Sequence, residues 1–171
     1  MDRQKWFDKK FQFELSQDDY ELILTKLNEN PEKISFLVSS LPAAILTKKV
    51  DNGWSIQENV GHLIDLEELH TGRIDDFIAG SETLRPADLN NKKTDEANHN
   101  KNNISDLLKR LKSAREDFVN RMKNLDNEIL ERSSVHPRLN QPMRPIDMAQ
   151  FVLAHDKHHI ETIKEFIKKL Q

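Results

Sequence analysis

The sequence predicts an all-α fold: a four-helix bundle with a long crossover connection, plus a short helix at the N-terminus. Three observations predict it. Only 4 of 171 residues are Gly and 6 are Pro, while 36% are hydrophobic and 32% charged, a composition that suits helices better than a strand-rich fold. Four segments repeat apolar residues three and four positions apart, so each has one face to bury. Start and stop residues punctuate the chain between them. At 20.0 kDa the chain has the length of one domain and can bury a core without covalent staples. Within it, residues 1–30 form an N-terminal arm and short helix, and residues 31–171 form the bundle.

The opening to about Gln17 is polar and reads as an irregular arm. A short helix follows from Asp18, carrying Tyr20, Ile23, Leu24 and Leu27. It ends at Asn28-Glu29-Asn30, because Asn30 can cap a new helix that Pro31 begins. Ile34, Leu37, Val38 and Leu41 give that new helix its apolar face, and Pro42 ends or bends it. After the connection Val50-Asp51-Asn52-Gly53, Ser55-Ile56-Gln57-Glu58 has the form of a capping box. The helix it starts runs to Ala79, with Gly80 as its stop. Ile56, Val60, Leu63 and Ile64 line one side, and Leu66, Leu69 and Phe77 an adjoining stripe that also holds position 62. Ile104 to Asn124 is the clearest helix by period, and the last starts near Pro145 and continues to the C-terminus. Gly80 to Asn103 exceeds the ~12 to 15 residues usual for a structureless loop. It either covers a site or crosses the surface in solvent.

Composition also excludes chemistry. Lys plus Arg number 26 against 29 Asp plus Glu, so there is no broad basic surface of the kind nucleic acid requires. No Cys is present, which removes disulfides, thiolate metal ligands and a cysteine nucleophile. Any soft nucleophile comes from outside the chain. Met1 to Trp6 lacks an apolar signal core, and no run approaches the ~20 apolar residues of a membrane span. The expectation is a cytoplasmic protein with no membrane and no nucleic-acid partner.

The seven histidines are the main chemical resource. His155 and His159 lie four apart on one helical face, in the row Met148, Val152, His155, His159, Ile163, Phe166. Inward-facing imidazoles need partners for both nitrogens, either hydrogen bonds within the core or a shared divalent metal. His62 is the best third ligand, since its stripe holds Leu66 and Leu69. Three histidines leave coordination positions open, as catalytic metal sites do, and zinc, nickel and ferrous iron all suit the donor set. Asp65 and Glu58, at +3 and −4 from His62, are candidates to orient an imidazole or to take a proton from a coordinated water. Each has a plainer reading, Glu58 as a cap and Asp65 as a solvated acid. Arg73, eleven residues after His62, is placed to hold a carboxylate or to make an interhelix ion pair. Asp156 reads as a surface or supporting group, His158 as exposed or at a pocket mouth, and His70 and His136 as surface residues. No H-E-x-x-H occurs, so peptidase chemistry is not indicated.

Gly53-Trp54-Ser55-Ile56-Gln57-Glu58-Asn59-Val60-Gly61-His62-Leu63 resembles the start of the second helix in DinB-like proteins. Phe151-Val152-Leu153-Ala154-His155-Asp156-Lys157-His158-His159 resembles their final-helix motif. His136-Pro137-Arg138-Leu139 with Pro142-Met143-Arg144 resembles the subgroup near the YfiT-type metal-dependent hydrolases. The resemblance spans roughly Pro31 to Leu170. It implies a four-helix bundle with a crossover, a homodimer, and a divalent metal, nickel or zinc, held by His62, His155 and His159. It also implies small-molecule chemistry of one of two kinds: S-transfer or isomerisation with a low-molecular-weight thiol such as bacillithiol or mycothiol, or hydrolysis. A non-catalytic bundle that binds a small molecule or a metal is the alternative. His99 and Asn100 resemble an Asn-rich stretch of the subgroup and are candidates to reach over the pocket mouth toward a cofactor.

Overall fold

The computed structural model describes residues 5–51 and 53–170; Met1–Gln4 of the expected arm, Asn52 and Gln171 lie outside the described residues. The first helix, α1, runs Gln17–Val38, straight across the expected break at Asn30 and Pro31. The correction has a tertiary cause. Pro31 has no N–H to give the carbonyl of Leu27 four residues back, and Arg115 from another helix reaches that carbonyl with Nη1 at 3.5 Å. Asn30 does not cap: its Nδ2 donates to Asp156 Oδ2 at 2.9 Å. A boundary between 30 and 31 therefore falls inside one helix.

The short α2, Ala43–Leu46, leads to α3, Ile56–Ala79, whose start is the expected capping box. Ser55 Oγ accepts from Glu58 N at 3.0 Å, and Glu58 Oε2 accepts from Ser55 N at 2.8 Å. Gly80, at φ 68°, supplies the left-handed stop. The crossover carries α4, Lys92–Glu96, and a 3₁₀ turn, His99–Lys101, both packed on α3. Helix α5, Ile104–Lys123, is capped by Asn103. After α6, Asn127–Leu130, strands β1, Ser134–His136, and β2, Gln141–Met143, pair antiparallel before α7, Pro145–Leu170. His136, expected at the surface, thus ends the first strand of a hairpin.

Helices α1 and α3 each pack against both α5 and α7. Two apolar clusters fill the bundle. One holds Leu24, Leu27, Ile74, Phe77, Phe118, Met122, Met148 and Val152. The other holds Ile34, Val38, Ile56, Val60, Leu63, Leu107, Leu111, Ile160 and Ile163. Helices α1 and α7 pass from the first cluster to the second, whereas α3 and α5 pass from the second to the first. Since α3 and α5 are parallel, the chain between them must travel back along the bundle, which is why the crossover is long. Among the described residues no helix is long and apolar enough to cross a membrane.

Between the clusters lies one polar residue from each helix: Asn30, Glu67, Arg115 and Asp156, all buried. Arg115 donates Nε and Nη2 to Glu67 Oε1 at 3.0 and 2.6 Å, Nη2 to Asp156 Oδ1 at 3.0 Å, and Nη1 to Asp156 Oδ2. Burial pushes the Glu67 carboxyl up, but the Arg115 charge, helped by His70, outweighs this and holds it at about 2.

Arg115→Met would leave two buried carboxylates without their cation, so we expect a loss of about 3 to 5 kcal/mol in urea denaturation. Because the folded value of Glu67 lies below its ordinary 4.5, its stabilisation is complete above that pH and drains as the pH falls toward 2. Urea midpoints taken between pH 6 and pH 3 should fall more steeply for the native chain than for Glu67→Gln.

Candidate metal centre

The capped start of α3 sets its phase, placing His62 on the flank that faces α7. There His62, His155 and His159 each bring a ring nitrogen to within 4.8 Å of the others. Their ring centroids are 5.5, 4.9 and 4.6 Å apart. The core row of α7 is not the one the spacing suggested. Met148, Val152, Asp156, Ile160 and Ile163 face the bundle interior, while Phe151, His155, His158, His159, Thr162 and Phe166 line a cavity. The polar interruption of the core is Asp156, neither a surface group nor a support for the histidines; the two imidazoles belong to the adjoining face.

Hydrogen bonds assign two of the rings. Thr94 Oγ1 donates to Asp65 Oδ2 at 2.9 Å, so it meets His62 Nδ1, at 3.0 Å, as an acceptor. Asn59 Nδ2 donates to Ser55 O at 2.8 Å, which turns Oδ1 to accept from His159 Nδ1 at 2.8 Å. Both rings therefore carry their proton on Nδ1 and a lone pair on Nε2. His155 Nε2 stands 3.3 Å from His159 Nε2, and His155 Nδ1 is buried without a partner. That separation matches the edge of a tetrahedron with metal–nitrogen bonds of about 2.0 Å. Burial pushes His62 down to about 4, and burial with the charge of neighbouring His159 and His62 pushes His155 well below its ordinary value. Two imidazoles with lone pairs on Nε2 beside the ring nitrogen of a third are a donor set that suits zinc, nickel or ferrous iron.

The other expected residues divide. Asp65 lies behind the ligand cluster, bound to Thr94 and to His99 Nε2 at 2.8 Å. Burial raises its carboxyl, but those two hydrogen bonds prevail and hold it below the ordinary range. It orients His62 only through Thr94. Glu58 is occupied by the cap and by Lys49 at 3.4 Å, away from the histidines. His99 does not reach over the mouth. Its ring packs on Gly61, where a Cβ would come within 2.2 Å of it; only glycine allows that approach. Asn100 is tied to Ser55 Oγ at 2.7 Å. Arg73 does line the cavity, and His158 is half-buried in its wall. His70 and His136, expected at the surface, are both buried cavity-lining residues.

The cavity, about 550 Å³, lies between α3 and α7. The crossover at Pro86–Asn91, the hairpin at His136–Arg138 and the N-terminal arm close it. Trp54 lies tilted against His62, ring centroids 4.6 Å apart, and donates Nε1 to Asp95 Oδ1 at 2.8 Å. The arm is not merely polar. Trp6, in a 3₁₀ turn at Trp6–Asp8, sits edge-on to His155 at 4.8 Å, and Phe11 and Phe13 follow it onto the core. Thr94, Asn59 and Trp6 contact the three histidines at positions that sequence spacing does not reach. The only local hint was the aromatic run Trp6, Phe7, Phe11, Phe13.

Comparison with known proteins places this arrangement. A family model described as the DinB superfamily matches residues 26–163. No curated protein matches the chain. YfiT of Bacillus subtilis, described as "a probable metal-dependent hydrolase with an unusual four-helix bundle topology", superposes with a TM-score of 0.81 at 21% identity, over 94% of this chain and 93% of that one. The mycothiol-dependent maleylpyruvate isomerase superposes at 0.62 with 12% identity, over 81% of this chain and 59% of the isomerase. At these identities the likeness is one of fold.

Thr94→Val keeps the shape at Thr94 but leaves His62 Nδ1–H without an acceptor. We expect the affinity for zinc or nickel to fall about 10- to 100-fold in competition with a chromogenic chelator, and Thr94→Ser to restore it.

Proposed function

Because the chain belongs to the DinB superfamily, we propose that it is a metal-dependent enzyme that transfers a low-molecular-weight thiol, such as bacillithiol, to or from a small electrophilic substrate. The observation that carries this reading is the convergence of three buried imidazoles, two with their Nδ1 protons engaged, on one wall of a substrate-sized cavity. A divalent ion held by His62, His155 and His159 would supply Lewis acidity, lowering the pKa of a thiol or of water.

What the chain itself offers favours the thiol. Asp65 is committed to Thr94 and His99, and Glu58 to its cap. The carboxylate that lines the cavity, Asp88, accepts from the backbone of Asn90 and Lys92. Hydrolysis calls for a base beside the attacking water, and no described carboxylate stands free at the histidines. Thiol transfer asks less: sulfur bonds to the electrophilic carbon, the leaving group departs, and the thiol proton passes to solvent or to that group. The chain has no cysteine to serve instead. Hydrolysis remains the second reading, and a cytoplasmic homodimer is the setting we propose for either.

Full-length protein purified without a polyhistidine tag should hold about one divalent ion per chain, and His155→Ala should lose it while keeping its helical circular dichroism. A panel of thiols with halogenated or epoxide electrophiles, run beside simple esters and amides, should give turnover with the thiols that His155→Ala abolishes. Ester or amide hydrolysis without a thiol would select the second reading. A chain that takes up neither zinc nor nickel would overturn both.

A further inference from the structure

Buried hydrogen-bond donors without acceptors gather in the cavity wall beside Arg73. Arg73 is 2% exposed and forms no ion pair among the described residues. Its Nε and Nη2 donate to the carbonyl of Arg85 at 3.1 Å, and Asp76, one turn on, is clasped by Arg85 instead. Asp76 acts on Arg73 through charge without contact, and a buried guanidinium that no carboxylate touches is costly. Beside it, His136 is also 2% exposed. Its Nδ1 accepts from Leu139 N at 3.2 Å, so its proton sits on Nε2, and Nε2 is buried with no partner. Nη2 of Arg138 is in the same condition. Burial first, then the charges of Arg73 and Arg138, push His136 down to about 3, so it stays a neutral N–H donor there. Three donor groups thus line the cavity, and the carboxylate that also lines it, Asp88, accepts from the backbone of Asn90 and Lys92 and forms no ion pair with them among the described residues.

We propose that Arg73, His136 and Arg138 form an anion subsite that holds a carboxylate or phosphate group of the ligand while its reactive end lies at the histidines. The inference rests on the proposed function only in treating this cavity as the place of the substrate or thiol. Arg73 follows His62 by eleven residues, about 16 Å along the helix axis, less the distance its side chain leans back toward the N-terminus. The ligand is therefore elongated, with its anion at one end. Arg138 completes the route between the two ends, its guanidinium 5.6 Å from the Trp6 ring and 5.5 Å from Phe151, with Trp6 lying against His155.

Both tryptophans of the chain, Trp6 and Trp54, line this cavity, so their fluorescence reports its occupancy. The full-length protein, as purified and again after chelator treatment, is titrated with octanoate, octyl phosphate and the neutral octanamide. At least one anion should bind about tenfold or more tighter than the amide, before and after metal removal, and the tighter anion identifies the group. Arg138→Gln, at a half-exposed position, should abolish the preference, as should Arg73→Gln, while Arg73→Lys retains part of it. Equal affinity for amide and anions would overturn the subsite. So would a preference that survives Arg138→Gln, or one that disappears with the metal, since the anion would then be reading the ion. Metal content is measured separately, so failure of the metal reading leaves this result interpretable.

Discussion

All four bundle helices meet at the Arg115 guanidinium. It belongs to α5, bonds Glu67 of α3 and Asp156 of α7, and touches the Leu27 carbonyl that Pro31 leaves without its helical partner on α1. A buried cation with two carboxylates tolerates little change of register, because any slide leaves a charge unmatched in a low-dielectric interior. The layer therefore constrains the axial positions of the helices between the two apolar clusters.

That constraint reaches the histidines through α7. Asp156 points into the layer, so His155 and His159, one position before and three after it, must lie on the flank of the helix. The same logic holds on α3, where Glu67 faces Arg115 and His62 lies five positions earlier on the side toward α7. The imidazoles are placed by groups that do no chemistry. The cavity they line is then closed by segments outside the bundle: the arm with Trp6, the crossover with Thr94, and the hairpin with His136 and Arg138. Thr94 and Asn59 settle the tautomers of two rings, leaving each a lone pair on Nε2.

Much of this was legible from residue pattern. The capping box at Ser55 and Glu58, the stop at Gly80, the period of Ile104–Lys123 and the start at Pro145 are local signals, and each marks a real helix boundary. The three histidines that meet were also readable, since four-residue spacing is a property of one helix and His62 shares a stripe with Leu66 and Leu69. What misled were residues whose roles are answered from elsewhere in the fold. Asn30 and Pro31 have the chemistry of a helix start, yet their partners lie on α5 and α7. His70 and His136 have no core period of their own, yet His70 packs on Phe118 of α5 and His136 on Phe151 of α7. His99 was expected above the pocket and lies beneath Gly61 instead, because Asp65 holds its ring there.

By itself the sequence determined the helices, their punctuation, the freedom from cysteine chemistry and which histidines were available, because all of these depend on neighbours within a turn or two. Only the tertiary structure decided that α1 is continuous, that the charged layer is central, and that histidines, tryptophans and arginines share one cavity. Those outcomes depend on partners tens of residues away: the apolar period shows that a face is buried but not against which helix, and the matching of buried charge leaves no periodic trace in the chain.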